Sequence, residues 1–323
     1  MNNQKNQYKF GASIIRNYIK KFLQLLLYGN LYIGLLAGSI AWANSLIFEF
    51  FNFQIIIFIF FSTTLIYNLD RLFSFSSDYV NSPKRSQYVN HNFILIIFII
   101  SSCITGILFF LKFFNFIFII TLVILFLLTI LYLLIFNKEF EFIQKFLRIS
   151  DKSISSQSIS ISILKPILLA LVWAFATIIL PVFHNGYKFS NGVFILLLIR
   201  FIEYGVNGVL FDYRDTAGDY KNKKNNLFLA IKPKSIFLFA VLFLLLNSVI
   251  ICFAVYTHLL PSVLFFDFIV ILVYIFLIWN ILHNKIFIYK LKSGLDSSLL
   301  YPLIVDGVYF LPAIFTILVY SAS

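Results

Sequence analysis

Three aspartates in the second half of the chain have the spacing of a metal site. Asp212, Asp215 and Asp219 are three and four residues apart. A helix through them would therefore place the carboxylates within about 60° of one another. Such a stripe is repulsive unless a cation lies in it. Mg²⁺ suits the position because it binds one or two carboxylates and completes its shell with water and phosphate oxygens. The alternative is a solvated helix end whose charges have no chemical task.

Basic residues surround these aspartates and suggest what the metal would bridge. Arg214 and Lys221 interleave with the acids, and Lys223 and Lys224 follow directly. Cations beside carboxylates can meet the remaining charge of a polyphosphate, so the segment predicts a metal-bridged diphosphate site. Lys165, which opens another apolar stretch, is either an interfacial anchor or a further phosphate ligand.

Polar residues extend upstream from the aspartates into an apolar run. Arg200, Glu203 and Asn207 are spaced i, i+3, i+7 and share one helix face. Ionisable groups at such a depth are costly and normally face a bundle interior or a water-filled cavity. The face is therefore either the wall of a polar cavity or a structural Arg200–Glu203 pair that holds helices together. Asp267 and Asp306 also lie in apolar runs, where they either line a cavity or pair within the bundle.

A second polar cluster ends an earlier apolar stretch. It contains Asn68, Asp70 and Arg71, which could join the site around Asp215 as ligands of the metal and the diphosphate. The alternative is an interfacial helix end whose charges set topology.

The composition indicates whether water or lipid surrounds these helices. The 323 residues are 61% hydrophobic and 12% charged, whereas soluble domains carry about 25% charged residues. So little charge cannot cover a surface that faces water, so lipid must be the solvent for most of the chain. The net charge of +12 is distributed as a membrane topology signal, which excludes a nucleic-acid partner.

The hydropathy pattern predicts an all-α, polytopic membrane protein, because a spanning helix needs about 20 mostly apolar residues and no period-two alternation of a barrel occurs. The whole chain, 1–323, reads as a single transmembrane domain preceded by a cytoplasmic segment, 1–21. The loop lengths suggest two four-helix units of similar layout plus a ninth helix. The nine predicted spans are 23–46, 48–69, 92–111, 114–136, 163–183, 191–211, 236–256, 262–283 and 299–320.

The placement of positive charge predicts the orientation. Of the 25 Lys and Arg residues, all but Lys112, Lys188 and Arg200 fall on the side of the membrane that holds the N-terminus. By the positive-inside rule the N-terminus is cytoplasmic and the C-terminus lies outside, as in a bacterial inner-membrane protein. Both acidic clusters would then meet at the cytoplasmic end of the bundle.

These features together resemble the UbiA superfamily of intramembrane prenyltransferases, which have nine helices and Asp-rich signatures after helices two and six. The segment Asp212-Tyr-Arg-Asp215-Thr-Ala-Gly-Asp219 is similar to the second signature, Asn/Asp-x-x-Asp-x-x-Gly-Asp. Leu164-Lys165-Pro166 also looks like the family's entry into helix five. The first signature, Asn-Asp-x-x-Asp-x-x-x-Asp in the family, is divergent here, since only Asn68, Asp70 and a more distant Asp78 stand in the region.

The resemblance implies a Mg²⁺-dependent transfer of an isoprenoid chain from an allylic diphosphate to a small hydrophobic acceptor, such as an aromatic compound, within the lipid bilayer. It implies that Asp215 and Asp219, with Asn68 and Asp70, hold the metal, and that Lys165 acts beside them in catalysis. It implies that the diphosphate is also contacted by Arg71, Asp212, Arg214 and Lys221.

Two other functions are compatible with the sequence. The acids missing after Asn68 would suit a family member that binds isoprenoid or lipid without transferring it. A small-molecule transporter could use the buried charges at Arg200, Glu203, Asp267 and Asp306 as an ion path, although transporter sites usually lie near the bilayer midplane.

Overall fold

The computed structural model describes residues 17–73, 82–111, 115–136, 157–221, 226–282 and 303–322, and within these ranges the regular structure is helical. Of the predicted cytoplasmic segment, residues 1–16 lie outside the described residues. The helices are α1 (Asn17–Tyr28), α2 (Leu31–Ile47), α3 (Phe53–Phe73), α4 (Pro83–His91), α5 (Phe93–Leu111), α6 (Phe116–Phe136), α7 (Gln157–Ala174), α8 (Leu180–His184), α9 (Asn191–Lys221), α10 (Leu227–Ala230), α11 (Pro233–Tyr256), α12 (Asp267–Leu282) and α13 (Phe310–Ala322).

Each of the predicted spans overlaps a helical segment among the described residues. Among the described residues, seven segments are long and apolar enough to cross a membrane, and α1 with α2, bent by 64°, makes an eighth. The shorter apolar stretch Phe116–Tyr132 of α6 lies where the fourth span was predicted. The prediction of an all-α, multi-pass integral membrane protein is confirmed.

The outer surface of the bundle is apolar. Ile94 on α5 is 85% exposed and Val249 on α11 is 64% exposed, and many large hydrophobic side chains beside them also face outward. A soluble monomer rarely exposes continuous apolar patches of this extent. These faces of the bundle therefore meet lipid. A helix suits that position because it satisfies its backbone N–H and C=O groups internally.

A π-helical turn, Phe175–Ile179, joins α7 to α8. Pro181 has no backbone N–H and so cannot donate to the Thr177 carbonyl four residues earlier. The Asn44 side-chain amide on α2 donates to that carbonyl instead, at 3.3 Å. The exchange keeps a buried carbonyl satisfied and anchors the turn to α2, which fixes the direction of the neighbouring side chains.

Helices α7 and α9 pack closely near Pro166 and Gly208. A Cβ atom added to Gly208 of α9 would lie 3.2 Å from the Pro166 Cβ atom of α7, so only glycine allows this approach without displacement. The contact places Lys165, next to Pro166, beside the acidic end of α9.

Candidate active site

One central cavity of about 570 Å³ lies inside the bundle, between α2, α3, α6, α7, α9 and the start of the last membrane segment. Apart from Asp306, its charged residues gather where α3 and α9 end and α7 begins. They are Asp70, Arg71, Arg85, Lys165, Asp212, Arg214, Asp215 and Asp219. The two acid-bearing helix ends singled out in the sequence therefore open into the same chamber.

Lys165 connects α7 to two of the aspartates. Its Nζ atom donates a hydrogen bond of 2.6 Å to Oδ1 of Asp212 and lies 4.0 Å from Oδ2 of Asp219. The other carboxylate oxygen of Asp212, Oδ2, is buried and has no hydrogen-bond partner. A buried carboxylate oxygen without a partner is costly, and a cation is the ligand that would satisfy it.

Asn226, which precedes α10, fixes the position of Asp219. Its amide donates hydrogen bonds of 2.8 Å to Oδ2 of Asp219 and to the backbone carbonyl of Asp212. Its side-chain oxygen accepts from the backbone N–H of Phe228 and so caps α10. Asn226 is not among the site residues expected from the sequence. An Asn just after the acidic signature and before an apolar run was the signal available.

Asp215 is held by its neighbour in sequence. Arg214 donates from Nε to Oδ1 at 2.7 Å and from one Nη atom to Oδ2 at 2.9 Å. The guanidinium also lies over the Phe211 ring, 4.6 Å from its centroid. This forked pair engages both oxygens of Asp215, so metal binding there would require Arg214 to move toward a substrate phosphate.

Asp70 and Arg71 line the central cavity, whereas Asn68 is not among the residues of its wall. The Asn68 amide donates to the backbone carbonyls of Gly29 and Thr64, and its side-chain oxygen accepts from Asn30 at 3.2 Å. Asn68 thus fastens α3 to the bend between α1 and α2. The structure does not bring Asn68 to the acidic cluster, because its side-chain groups are used in contacts with Asn30, Gly29 and Thr64.

Arg200 and Glu203 do not line the central cavity either. One Nη atom of Arg200 lies 2.8 Å from Glu203 and 2.9 Å from Asp267. Asn247 donates to the second oxygen of Glu203 at 3.2 Å, and Arg200 Nε donates to Asn44. The network joins α2, α9, α11 and α12, as the structural alternative predicted.

The third residue of that face, Asn207, does line the cavity. Its amide donates a 3.0 Å hydrogen bond to Asp306, which stands before the last helix.

Lys221, at the end of α9, is exposed and is not part of the cavity wall, while Lys223 and Lys224 lie outside the described residues. Arg85 of α4, which is not among the site residues expected from the sequence, is buried and lines the cavity.

Beyond the charged end, the cavity wall becomes aromatic and then aliphatic. The Trp173 indole N–H donates to the Tyr67 hydroxyl at 3.0 Å, and the Trp173 ring lies 5.7 Å from that of Tyr204. The apolar end is formed by side chains from five helices, among them Leu36, Phe58, Ile107, Leu125, Ala176 and Leu180. A polar head with a long apolar tail would match both ends of this cavity.

The donors at the charged end fit a divalent cation only in part. Among the described residues, no three His, Cys, Asp or Glu side chains are grouped to hold a metal ion by themselves. Oxygen donors without sulfur or imidazole are nevertheless the type that Mg²⁺ prefers, and this ion takes much of its shell from water and phosphate. The open oxygen of Asp212 provides one such position.

Comparison with known proteins adds information on the fold. No protein-family model matches the chain, and no curated protein matches it. Among solved structures, the chain is similar to one whose subject is digeranylgeranylglyceryl phosphate synthase in membranes. The TM-score is 0.51 and the sequence identity 15%, over 94% of this chain and 97% of the other. Nearly the whole chain therefore shares the fold of that membrane protein.

Proposed function

We propose that the protein is a UbiA-type intramembrane prenyltransferase, which moves an isoprenoid chain from an allylic diphosphate to an aromatic or related acceptor. The observation that carries the proposal is the central cavity. One end gathers four cationic and four acidic side chains from α3, α4, α7 and α9, and the interior is aromatic and aliphatic. An allylic diphosphate has the same division between a charged head and an apolar chain.

The diphosphate binds at the charged end in this proposal. Arg71, Arg85, Lys165 and Arg214 line that end and oppose its negative charge. Asp212 and Asp219, with Asp215 and Asp70 beside them, would hold Mg²⁺ against the diphosphate oxygens. When bound, Mg²⁺ would act as a Lewis acid that neutralises charge on the leaving group.

The chain's own residues then have distinct tasks. Lys165 and Arg214 supply positive charge where negative charge grows on the departing diphosphate. The rings of Tyr67, Trp173 and Tyr204 line the next part of the cavity, where their negative faces stabilise positive charge on the allylic carbon. The aliphatic end holds the tail and excludes water, which would otherwise capture the cation.

The structural comparison supports this proposal through the fold. The similar structure is a synthase of digeranylgeranylglyceryl phosphate. The name of this product indicates that it carries isoprenoid chains. At 15% identity the likeness does not extend to its substrates, so donor length and acceptor are left to experiment.

The test is incubation of the purified protein in lipid nanodiscs with allylic diphosphates, Mg²⁺ and a panel of acceptors. Release of diphosphate together with a prenylated product supports transfer, and the Asp219→Asn variant should lose both. The Lys234→Gln variant is the control, because Lys234 is exposed at the predicted cytoplasmic side and lies outside the cavity. Release of no diphosphate from donors of any length would contradict the proposal.

A binding protein without transferase activity is the second candidate. The Arg214–Asp215 pair favours it, since both oxygens of Asp215 are already engaged. Tight binding of an isoprenyl diphosphate that returns unchanged after long incubation with Mg²⁺ and acceptors would identify this function.

A further inference from the structure

Asp306 is a buried carboxylate with an open oxygen in the wall of the central cavity. The residue is 7% exposed and stands just before the short turn that leads into α13. Its Oδ1 atom accepts the 3.0 Å hydrogen bond from Asn207. Among the described residues, no Lys or Arg pairs with it, and Oδ2 has no hydrogen-bond donor.

This arrangement is expensive for a structural residue. A carboxylate inside a membrane bundle normally pairs with a cation or with several donors. Asp267 in the same bundle follows that rule, since its Oδ1 atom lies 2.9 Å from Arg200. Asp306 accepts a hydrogen bond from a single neutral donor. Its side chain lines a cavity that is large enough for a substrate, and Oδ2 is still open. A ligand with a hydrogen to donate would complete it.

The position of Asp306 relative to the charged end is also informative. Its partner Asn207 precedes Asp212 by five residues on α9, which is about 7.5 Å along a helix axis. A diphosphate held at Asp212 would therefore have its first isoprenoid carbon roughly at the depth of Asn207 and Asp306. Whatever hydrogen-bonds to Asp306 lies beside the carbon that becomes electrophilic.

We propose that Asp306 binds and deprotonates the acceptor substrate, and that this acceptor is an alcohol or a phenol whose hydroxyl group donates to Oδ2. The inference rests on the proposed transferase function and names the acceptor class that the same cavity takes. Asn207 is a positioning residue, because it holds Oδ1 and thereby directs Oδ2 at the acceptor.

The step balances without any further reactant. The acceptor oxygen forms a bond to the first isoprenoid carbon while the bond from that carbon to the diphosphate oxygen breaks, and its electron pair leaves with the diphosphate. The hydroxyl proton moves to Oδ2 of Asp306. The products are a prenyl ether and diphosphate, and the carboxyl group returns its proton to water when the products leave. A neutral hydroxyl needs this base, since its oxygen would otherwise carry a positive charge after attack.

The first experiment measures recognition of the hydroxyl hydrogen and needs no turnover. A 4-alkylphenol probe and its methyl ether are titrated into the protein in nanodiscs. The native protein should bind the phenol at least about tenfold more tightly, because the ether cannot donate a hydrogen bond to the carboxylate. In Asp306→Asn, an amide N–H₂ takes the place of Oδ2 while the bond from Asn207 is kept, so the preference should disappear. A preference retained in Asp306→Asn, or absent from the native protein, would overturn the inference.

The second experiment separates this inference from the proposed function. With an alcohol acceptor, Asp306→Asn should lower kcat by about 10²- to 10⁴-fold and leave the affinity for an allylic diphosphate unchanged. More acidic acceptors, such as nitrophenols, should reduce the defect because they need less help from a base. A defect of equal size for every acceptor would assign Asp306 a structural role. If the native protein binds no allylic diphosphate, the transferase proposal fails, and the phenol preference is still decided by the first experiment.

Discussion

Lys165 on α7 and Asp212 on α9 form a 2.6 Å ion pair at the charged end of the central cavity, and the same ammonium group lies 4.0 Å from Asp219. The pair links two helices whose residues are far apart in sequence. It leaves Oδ2 of Asp212 buried and without a partner. Positive and negative groups are thereby placed together where a metal–diphosphate unit would bind, and the contacts made in the substrate-free structure would be exchanged for contacts with that unit.

The first prediction concerns Asp212. Asp212→Asn removes the charge that faces the predicted metal position, so the Mg²⁺ concentration for half-maximal diphosphate release should rise by about tenfold or more. Asp267→Asn is the matched control, because the same change is made in a buried network outside the cavity. It should reduce thermal stability but leave the Mg²⁺ dependence of release unchanged. Equal Mg²⁺ curves for the native protein and Asp212→Asn would contradict a metal contact at Asp212.

The second prediction concerns Asn226. Asn226→Ala removes the bond to Asp219 and the cap of α10, so diphosphate release should slow by about 10- to 100-fold. Asn226→Asp keeps the cap oxygen but puts a carboxylate against Asp219, and its release rate should be lower still. Steady-state kinetics of both variants check the order. An Asn226→Asp variant as active as the native protein would show that Asn226 does no more than cap α10.

The third prediction concerns the Arg200 network. Arg200→Met leaves Glu203 and Asp267 buried without their cation, which should cost about 3–5 kcal/mol of unfolding free energy. Adding Glu203→Gln and Asp267→Asn to the same protein should restore part of that loss. Thermal unfolding in detergent measures both effects. If the single variant is as stable as the native protein and instead abolishes ion uptake into liposomes, the network is an ion path and the transporter alternative is favoured.

The fourth prediction concerns the contact between α7 and α9. Gly208→Ala puts a methyl group 3.2 Å from Pro166 and should lower stability by about 1 kcal/mol or more. It should also slow diphosphate release, because α7 carries Lys165. Gly205→Ala, one turn earlier on the same helix, meets its nearest atom at 3.9 Å and should be neutral or slightly stabilising. Equal melting temperatures for the two variants would show that α7 can shift without cost.

The fifth prediction concerns the length of the isoprenoid chain. Ala176 lies in the apolar wall of the cavity, so Ala176→Phe should shorten the space for the tail. The kcat/KM for long-chain donors should fall by about tenfold or more relative to that for a five-carbon donor. Val249→Phe adds bulk to the exposed face of α11 and serves as the control. A loss that is uniform over donor length would show that the tail does not pass Ala176.

Several features of the site followed from one-dimensional patterns. The spacing of Asp212, Asp215 and Asp219 indicated one helix face, and α9 runs through all three. The contacts of the three carboxylates differ, however. Asp212 has an open oxygen, Asp215 is held by Arg214, and Asp219 is braced by Asn226. Spacing along a helix carries no information about partners that come from other helices or from the next loop.

Other residues show where sequence reasoning ended. Asn68 and Arg200 lie in sequence positions that suit a cavity wall. In the structure, each side chain instead makes contacts that join different segments of the bundle. Whether such a polar side chain lines a cavity or pairs with a neighbouring helix depends on how each helix is rotated about its axis. Arg85, in contrast, is not among the site residues expected from the sequence, yet it is buried in the cavity wall.

The sequence by itself determined that this chain is a membrane bundle, because too few charged residues and long apolar stretches leave lipid as the solvent and helices as the structure. It also placed acids and bases at the ends of two helices, since hydropathy marks where each helix ends. Only the tertiary structure decided which of these side chains share a chamber and which hold helices together. That distinction depends on helix rotation and on close contacts such as Gly208 with Pro166, which arise when side chains from distant parts of the chain pack together.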